Sequence, residues 1–411
     1  MRPASAFFVK INGLFLLAVS LAWAADVPPH VPGRLLAAPR PGIDANLLEY
    51  TLKLHAAVVR KHSTAIAAIV LEVPEESSEA IMVSLQRTGL FEYVERDQYA
   101  HTAAEFPNDP GFASEWHLTK IQSPQAWSVT TGSPSVMVAV IDTGVYGTHP
   151  DLESNLAPGW NFVKSNSDTS DLLGHGTAVA GTIAAAGNNG IGVAGVSWQS
   201  RMMPLVVVDE NDLAAYSNIA EAIQYAADRG VRVMNISVGG SAPSSTLQSA
   251  VDYAWSKGAL IFASAMNNGA SDPYYPAACN HVMAVSATDS NDHLASFSNY
   301  GNWVAISAPG DSILTTTNGG GYAYWFGTSF ASPLVAGVAA LSLSINPSLT
   351  NAELLTILET SADHVGLPGY DPSFGWGRVN AFNAVTAARQ ALVERSPARP
   401  LPVLRQSRSL R

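Results

Sequence analysis

One cysteine, Cys279, stands in a chain of 411 residues, so no disulfide can form within it. Stability must then come from packing or from bound metal. No Cys/His motif surrounds Cys279, which reads as a small buried hydrophobe rather than a nucleophile. Charge is also scarce, at 13% of residues against 47% apolar residues and 32 glycines. That balance suits a compact domain of small residues and buried strands, and excludes overall disorder. Basic charge is scarcest in the long middle of the chain, where residues 105–394 carry 23 acidic and 8 basic side chains. Nucleic-acid binding needs basic clusters and is excluded there, whereas bound cations and solubility outside the cell fit. No apolar run approaches the ~20 residues of a membrane span, and there is no internal repeat.

The first 24 residues read as a signal peptide. Arg2 and Lys10 give a positive start, 13–22 is apolar, and Ala22-Trp23-Ala24 supplies a small-residue cleavage pattern. Residues 25–104 read as a small α+β unit. Strands are predicted at 33–38, 65–73 and 91–99, with helices at 44–59 (capped by Asp44) and 77–87. Two helices between strands suggest a ferredoxin-like sandwich. Residues 105–394 then alternate strand and helix. Continuous apolar strands are predicted at 136–141, 201–208, 231–237, 259–263 and 282–286, and helices at 177–186, 217–228, 245–257 and 332–345. This is the signature of an α/β fold, a doubly wound parallel sheet with helices on both faces. The remainder, 395–411, holds five arginines and no acid, and reads as a basic, Pro-rich, disordered tail.

Three short patterns carry chemistry. Val140-Ile141-Asp142-Thr143-Gly144 puts an acid at the carboxyl end of a buried strand, the edge where open α/β sheets gather their sites. Gly174-His175-Gly176-Thr177 puts a histidine at the first turn of a helix with a small-residue face. Gly327-Thr328-Ser329-Phe330-Ala331-Ser332-Pro333 puts a serine at or just before a helix N-terminus, if Pro333 occupies the first turn. Each alone has a plainer reading as a turn cap, a structural His or an N-cap. Together they are the parts of one machine: a serine needs a His to take its proton, and the His needs a carboxylate to fix its tautomer and stabilise its cation. The order Asp, His, Ser is one of the known arrangements of this triad.

With these residues in view, 107–385 resembles the subtilisin-like serine proteases, nearest their thermitase branch. The likeness extends to Met234-Asn235-Ile236-Ser237-Val238-Gly239-Gly240, Ser298-Asn299-Tyr300-Gly301, Ala308-Pro309-Gly310 and Gly375-Trp376-Gly377-Arg378-Val379-Asn380-Ala381. His175 separates the chain from the sedolisins, which carry an acid there. The resemblance implies a monomeric serine endopeptidase, secreted to the medium or the periplasm, acting on protein or peptide substrates, with no nucleic-acid or membrane partner. Asp142, His175 and Ser329 would be its triad. Asn267, rather than its neighbour Asn268, would complete the oxyanion hole. Ser237, Val238 and Gly239 would pair with substrate backbone, facing a pocket wall at 263–266 that ends in Met266. Residues 25–104 would be an inhibitory propeptide that is cut off autocatalytically between 100 and 106. A structural calcium would be held by Asp109, Asp151, Asn189 and the carbonyls of Ala186, Ile191 and Val193, all oxygen donors suited to a hard cation. Three positions depart from the family. Ala178 replaces a second His, Asp209–Ala215 replaces a Gly-rich edge segment, and Met266 replaces a Gly. The competing readings are a catalytically silent binding protein on the same scaffold and an acyl-transfer variant.

Overall fold

A computed structural model describes residues 30–63, 68–98 and 105–395. The signal-peptide and tail segments, and most of the 100–106 stretch, lie outside the described residues. The chain divides into two compact units, 1–101 and 102–411.

The first unit runs β1 (His30–Pro39), α1 (Ala45–Leu54), β2 (Val58–Ser63), β3 (Ala68–Glu72), α2 (Ser78–Arg87) and β4 (Phe91–Gln98). Its antiparallel sheet has the order β2-β3-β1-β4. Leu35, Leu71, Leu85, Phe91 and Val94 form its core. The Asp44 carboxylate caps α1 by accepting from the N–H groups of Asn46 and Leu47. One expectation fails here, because α1 does not continue to residue 59. Ala56 turns left-handed (φ +51°), and the β-branched pair Val58-Val59 leaves the helix to join Glu72 and Leu71 as a strand.

The second unit opens with two short helices, α3 (Trp116–Lys120) and α4 (Ser123–Trp127). Then follow β5 (Met137–Asp142), β6 (Trp160–Asn161), α5 (His175–Ala184), β7 (Arg201–Val206), α6 (Tyr216–Asp228), β8 (Val233–Ile236), α7 (Ser245–Ser256) and β9 (Leu260–Ser264). The chain continues through β10 (Val282–Thr288), β11 (Ile306–Pro309), the hairpin β12 (Ile313–Thr317) and β13 (Gly321–Trp325), and α8 (Thr328–Ile345), α9 (Asn351–Thr360) and α10 (Ala381–Arg395). Seven strands pair in parallel in the order β11-β10-β9-β8-β5-β7-β6. The alternation of β5 shows why both faces are covered: Val138 and Val140 enter one core with α5 and α8, while Ala139 and Ile141 enter the other with α6 and α7. Strand β5 also stands where the strand order runs outward in both directions, so its carboxyl end opens a crevice between β7 and β8.

Helix α8 is long and apolar enough to cross a membrane by composition, contrary to the sequence expectation that no segment would be. It is buried from Thr328 to Leu343 and is the central core helix of the sheet. Cys279 is buried, and burial together with the Asp252 charge pushes its thiol up to about 11, as suits an inert side chain.

Candidate active site

Asp142 is the last residue of β5 and is wholly buried. Its Oδ1 accepts from the Thr143 N–H at 2.8 Å and lies 2.7 Å from His175 Nδ1. Since a carboxylate only accepts, Nδ1 carries the proton and the Nε2 lone pair is free for proton transfer. His175 is the first residue of α5, behind Gly174 at φ +90°. Gly176 lets this helix start touch the strand end: a Cβ there would collide with the Gly144 carbonyl and stand 3.1 Å from the Asp142 Cβ. About a quarter of the imidazole side chain (27%) stays exposed. Burial pushes His175 down, but the charge and hydrogen bond of Asp142, with the charges of Asp171 and Asp212, hold it above the ordinary histidine range.

Ser329 falls inside the first turn of α8, because the helix begins at Thr328 rather than near Ser332. Pro333 therefore sits in the second turn, which corrects its expected place. Its missing N–H leaves the carbonyl four residues back, that of Ser329, without a helical donor. The Ser237 hydroxyl supplies one at 3.0 Å, and Ser329 Oγ in turn donates to the Ser237 carbonyl at 3.3 Å. Asn235 and Ser332 extend this chain, with Asn235 Nδ2 donating to Ser237 Oγ and Ser332 Oγ to Asn235 Oδ1. Among the described residues, Ser329 has no hydrogen bond to His175, a looseness common in ligand-free sites. The His175 ring packs 5.8 Å from that of Phe330, the residue after Ser329, so acid, base and hydroxyl converge at one edge of the sheet.

Asn267 is held by its oxygen. Oδ1 accepts from the Thr328 N–H at 2.9 Å and the Thr328 hydroxyl at 3.0 Å, which leaves the amide N–H₂ to face outward. Gly327 makes this possible: its φ is +138°, and a Cβ on it would stand 3.1 Å from Asn267 Nδ2 and 3.6 Å from the Ser329 nitrogen. Asn268 is engaged elsewhere, donating its N–H to Asn299 Oδ1. That asparagine also accepts from Ala270 and donates to the Met266 carbonyl, which holds the whole loop.

A cleft of about 620 Å³ runs beside His175, lined by Ser237, Val238, Gly239, Gly240, Met266 and the edge segment Asp212–Ala214. Sequence reasoning missed Asp171, which the structure makes a hub. This buried carboxylate accepts from Thr143 Oγ1 (2.8 Å), the N–H groups of Leu173 (3.1 Å), Gly174 (2.7 Å) and Thr177 (2.8 Å), and Thr177 Oγ1 (2.5 Å). It thereby ties the residue after Asp142 to both flanks of His175. Its only sequence signal was its place four residues before His175.

A second corner collects acids. Asp109, Glu115 and Asp151 are all buried. Asp109 accepts from the Asn188 and Asn189 N–H groups at 2.6 and 3.2 Å. Asp151 accepts from Asn189 Nδ2 at 2.8 Å and the Val193 N–H at 3.0 Å. Burial, and then the Asp109 and Asp151 charges, hold the Glu115 carboxyl well above its usual range. Burial also raises Asp109 and outweighs its N–H donors, with the Asp151 charge adding to the rise. Among the described residues no three His, Cys, Asp or Glu side chains form a metal cluster. The carbonyls of Ala186, Ile191 and Val193 accept no hydrogen bond among them either. Asn189 presents its nitrogen to Asp151, and its oxygen takes the Ile191 N–H. A cation would need that amide turned before its oxygen could act as a ligand.

Residues 133–377 match the model of the subtilase family. The chain is 44% identical over 75% of its length to a thermophilic serine proteinase of Bacillus sp. (strain AK1), covering 76% of that protein. It is 42% identical over 68% of its length to thermitase of Thermoactinomyces vulgaris, covering 99%. Among solved structures, a protease of Pseudoalteromonas arctica PAMC 21717 superposes with a TM-score of 0.63 at 33% identity, over 69% of this chain and 99% of that one. The chain therefore belongs to the subtilase family and is a serine-type endopeptidase.

Proposed function

We propose that this endopeptidase works through Asp142, His175 and Ser329, is secreted, and is made as a precursor that cuts itself. The observation that carries the mechanism is the 2.7 Å bond from His175 Nδ1 to buried Asp142, which leaves Nε2 to accept a proton. His175 takes the Ser329 proton as Oγ attacks the peptide carbonyl, and Asp142 stabilises the imidazolium. Asn267 Nδ2 and the Ser329 N–H, a first-turn donor with no partner in its own helix, stabilise the oxyanion. His175 then returns the proton to the leaving amine, and water releases the acyl group. Residues 237–239 hold substrate backbone by strand addition.

Residues 25–104 act as an inhibitory propeptide, and the mature enzyme is a monomer. Asp109, Asp151, Asn189 and the carbonyls of Ala186, Ile191 and Val193 would hold a structural calcium. Its charge would offset three buried acids. A silent binding protein has no need of a free Nε2 beside an oriented asparagine amide, so the catalytic reading is preferred.

The test is a fluorophosphonate probe combined with mass spectrometry of the secreted protein. Wild type should be labelled at Ser329 and begin between residues 100 and 106. Ser329→Ala should be unlabelled and uncut, with hydrolysis down by a factor on the order of 10⁶, a magnitude that comes from subtilisin itself. Normal maturation of Ser329→Ala in a protease-free host would refute self-cleavage.

A further inference from the structure

We infer that Met266 plugs the substrate pocket beside Asn267, so that the enzyme selects small side chains on the acyl side of the scissile bond. This rests on the reading of Ser329 as nucleophile and of 237–239 as the substrate-pairing segment.

Met266 adopts φ +74°, a left-handed conformation that glycine takes freely and an unbranched side chain takes at a cost. The backbone is pinned one residue before it and at its own carbonyl: the Ala265 N–H donates to the Val285 carbonyl at 2.9 Å, and the Asn299 N–H to the Met266 carbonyl at 2.9 Å. The side chain leaves this fixed point toward the cleft, whose lining it shares with His175 and residues 237–240. It belongs to neither core cluster of the sheet. The sulfur stands 3.6 Å from Ser264 Oγ, which donates to it. It also stands 3.5 Å from the point a Cβ on Gly239 would occupy, ordinary van der Waals contact. Gly239 lies on the opposite segment, so the thioether crosses from the Asn267 side of the pocket to the substrate-pairing side.

The far side of that gap is backbone. The same Gly239 point lies 2.8 Å from the Tyr275 carbonyl, and Gly240 and Tyr275 exchange two backbone hydrogen bonds of 2.9 and 2.8 Å. The substrate-pairing wall is therefore fixed to the backbone behind it at Tyr275 and does not draw back to admit a ring. A bulky side chain can enter only by displacing Met266, which Ser264 and the pinned backbone resist. A strained conformation kept beside the site points to a function for the side chain that bears it. Here that function is exclusion by volume.

The experiment compares p-nitroanilide peptides that differ only in having Ala or Phe before the cleaved bond, with wild type, Met266→Gly and Met266→Ala. Glycine suits the backbone at this φ, so Met266→Gly retains the fold. Met266→Ala keeps a Cβ and removes only the thioether, which separates pocket volume from relief of strain. Wild type should cleave the Ala peptide with at least about tenfold higher kcat/KM than the Phe peptide, and both variants should raise the Phe:Ala ratio by about tenfold or more. A wild type that prefers Phe, or a ratio unmoved in both variants, overturns the plug. If Ser329 still reacts with a fluorophosphonate in that case, the catalytic reading stands without it. If wild type is neither labelled nor active, both fall.

Discussion

Two corners of the catalytic domain bury carboxylates, and they neutralise them differently. At the end of β5, Asp142 is matched by the His175 imidazole and the Thr143 N–H, and Asp171 by five donors. Around residue 189, Asp109, Glu115 and Asp151 share backbone and amide N–H groups, and their charges act on one another. Buried charge needs a partner or a metal. The first corner has its partner in a side chain that can lose a proton, which makes it reactive. The second has only neutral donors and free carbonyls, which suits an ion that stays. On the proposed reading, reactivity and stability fall to different acids of one domain.

Removing the acid from the first corner should have the largest effect. Asp142→Asn keeps the shape but takes away the charge that stabilises the imidazolium, and kcat should fall on the order of 10⁴-fold with the melting temperature nearly unchanged. A loss below tenfold would mean that Asp142 does not act on His175.

Asp171→Asn should act on the same corner more gently and through pH. His175 must be neutral to accept the Ser329 proton, and its raised pKa places the acid limb of kcat/KM above about 6.5. Deleting the Asp171 charge lowers the imidazole pKa, so the limb should move to lower pH while kcat drops by up to about 10²-fold from looser positioning. The same shift stabilises the fold below about pH 6.5, and this contribution is lost as pH rises through the folded-state value. An acid limb that stays in place in Asp171→Asn would reduce Asp171 to a helix cap.

The second corner should answer to calcium alone. Saturating calcium, at about a hundred times its dissociation constant, should raise the melting temperature by about 5–10 °C, and Asp151→Ala should abolish most of that gain. Below the melting transition, chelation should leave the acid limb of the pH profile where it was. Identical melting curves with chelator and with calcium would dissolve the contrast between the corners.

How much of this could be read from residue order depends on how far apart the cooperating groups lie. The strand-end acid, the histidine at a helix start and the serine in a first helical turn are each written within five or six residues, because backbone geometry and glycine placement are local. The buried strands β5, β7, β8, β9 and β10 and helices α5 to α8 were legible for the same reason, as uninterrupted apolar runs and 3.6-residue periods. Helix α1 was overextended because its apolar pattern continues past the left-handed turn at Ala56. The chain by itself determined five of the seven sheet strands and the class of chemistry, since each is a property of short segments.

Folding decided what those segments do to one another. Asp171 became a hub only when residues 143, 174 and 177 brought donors to it. Pro333 freed a carbonyl whose new donor, Ser237, lies 92 residues away from Ser329. The direction of Met266 was set by Asn299 and Ser264, through a positive φ that no spacing rule announces for methionine. Close packing fixes such contacts only when distant segments meet, so what the pocket admits was decided by the tertiary structure and not by residue order.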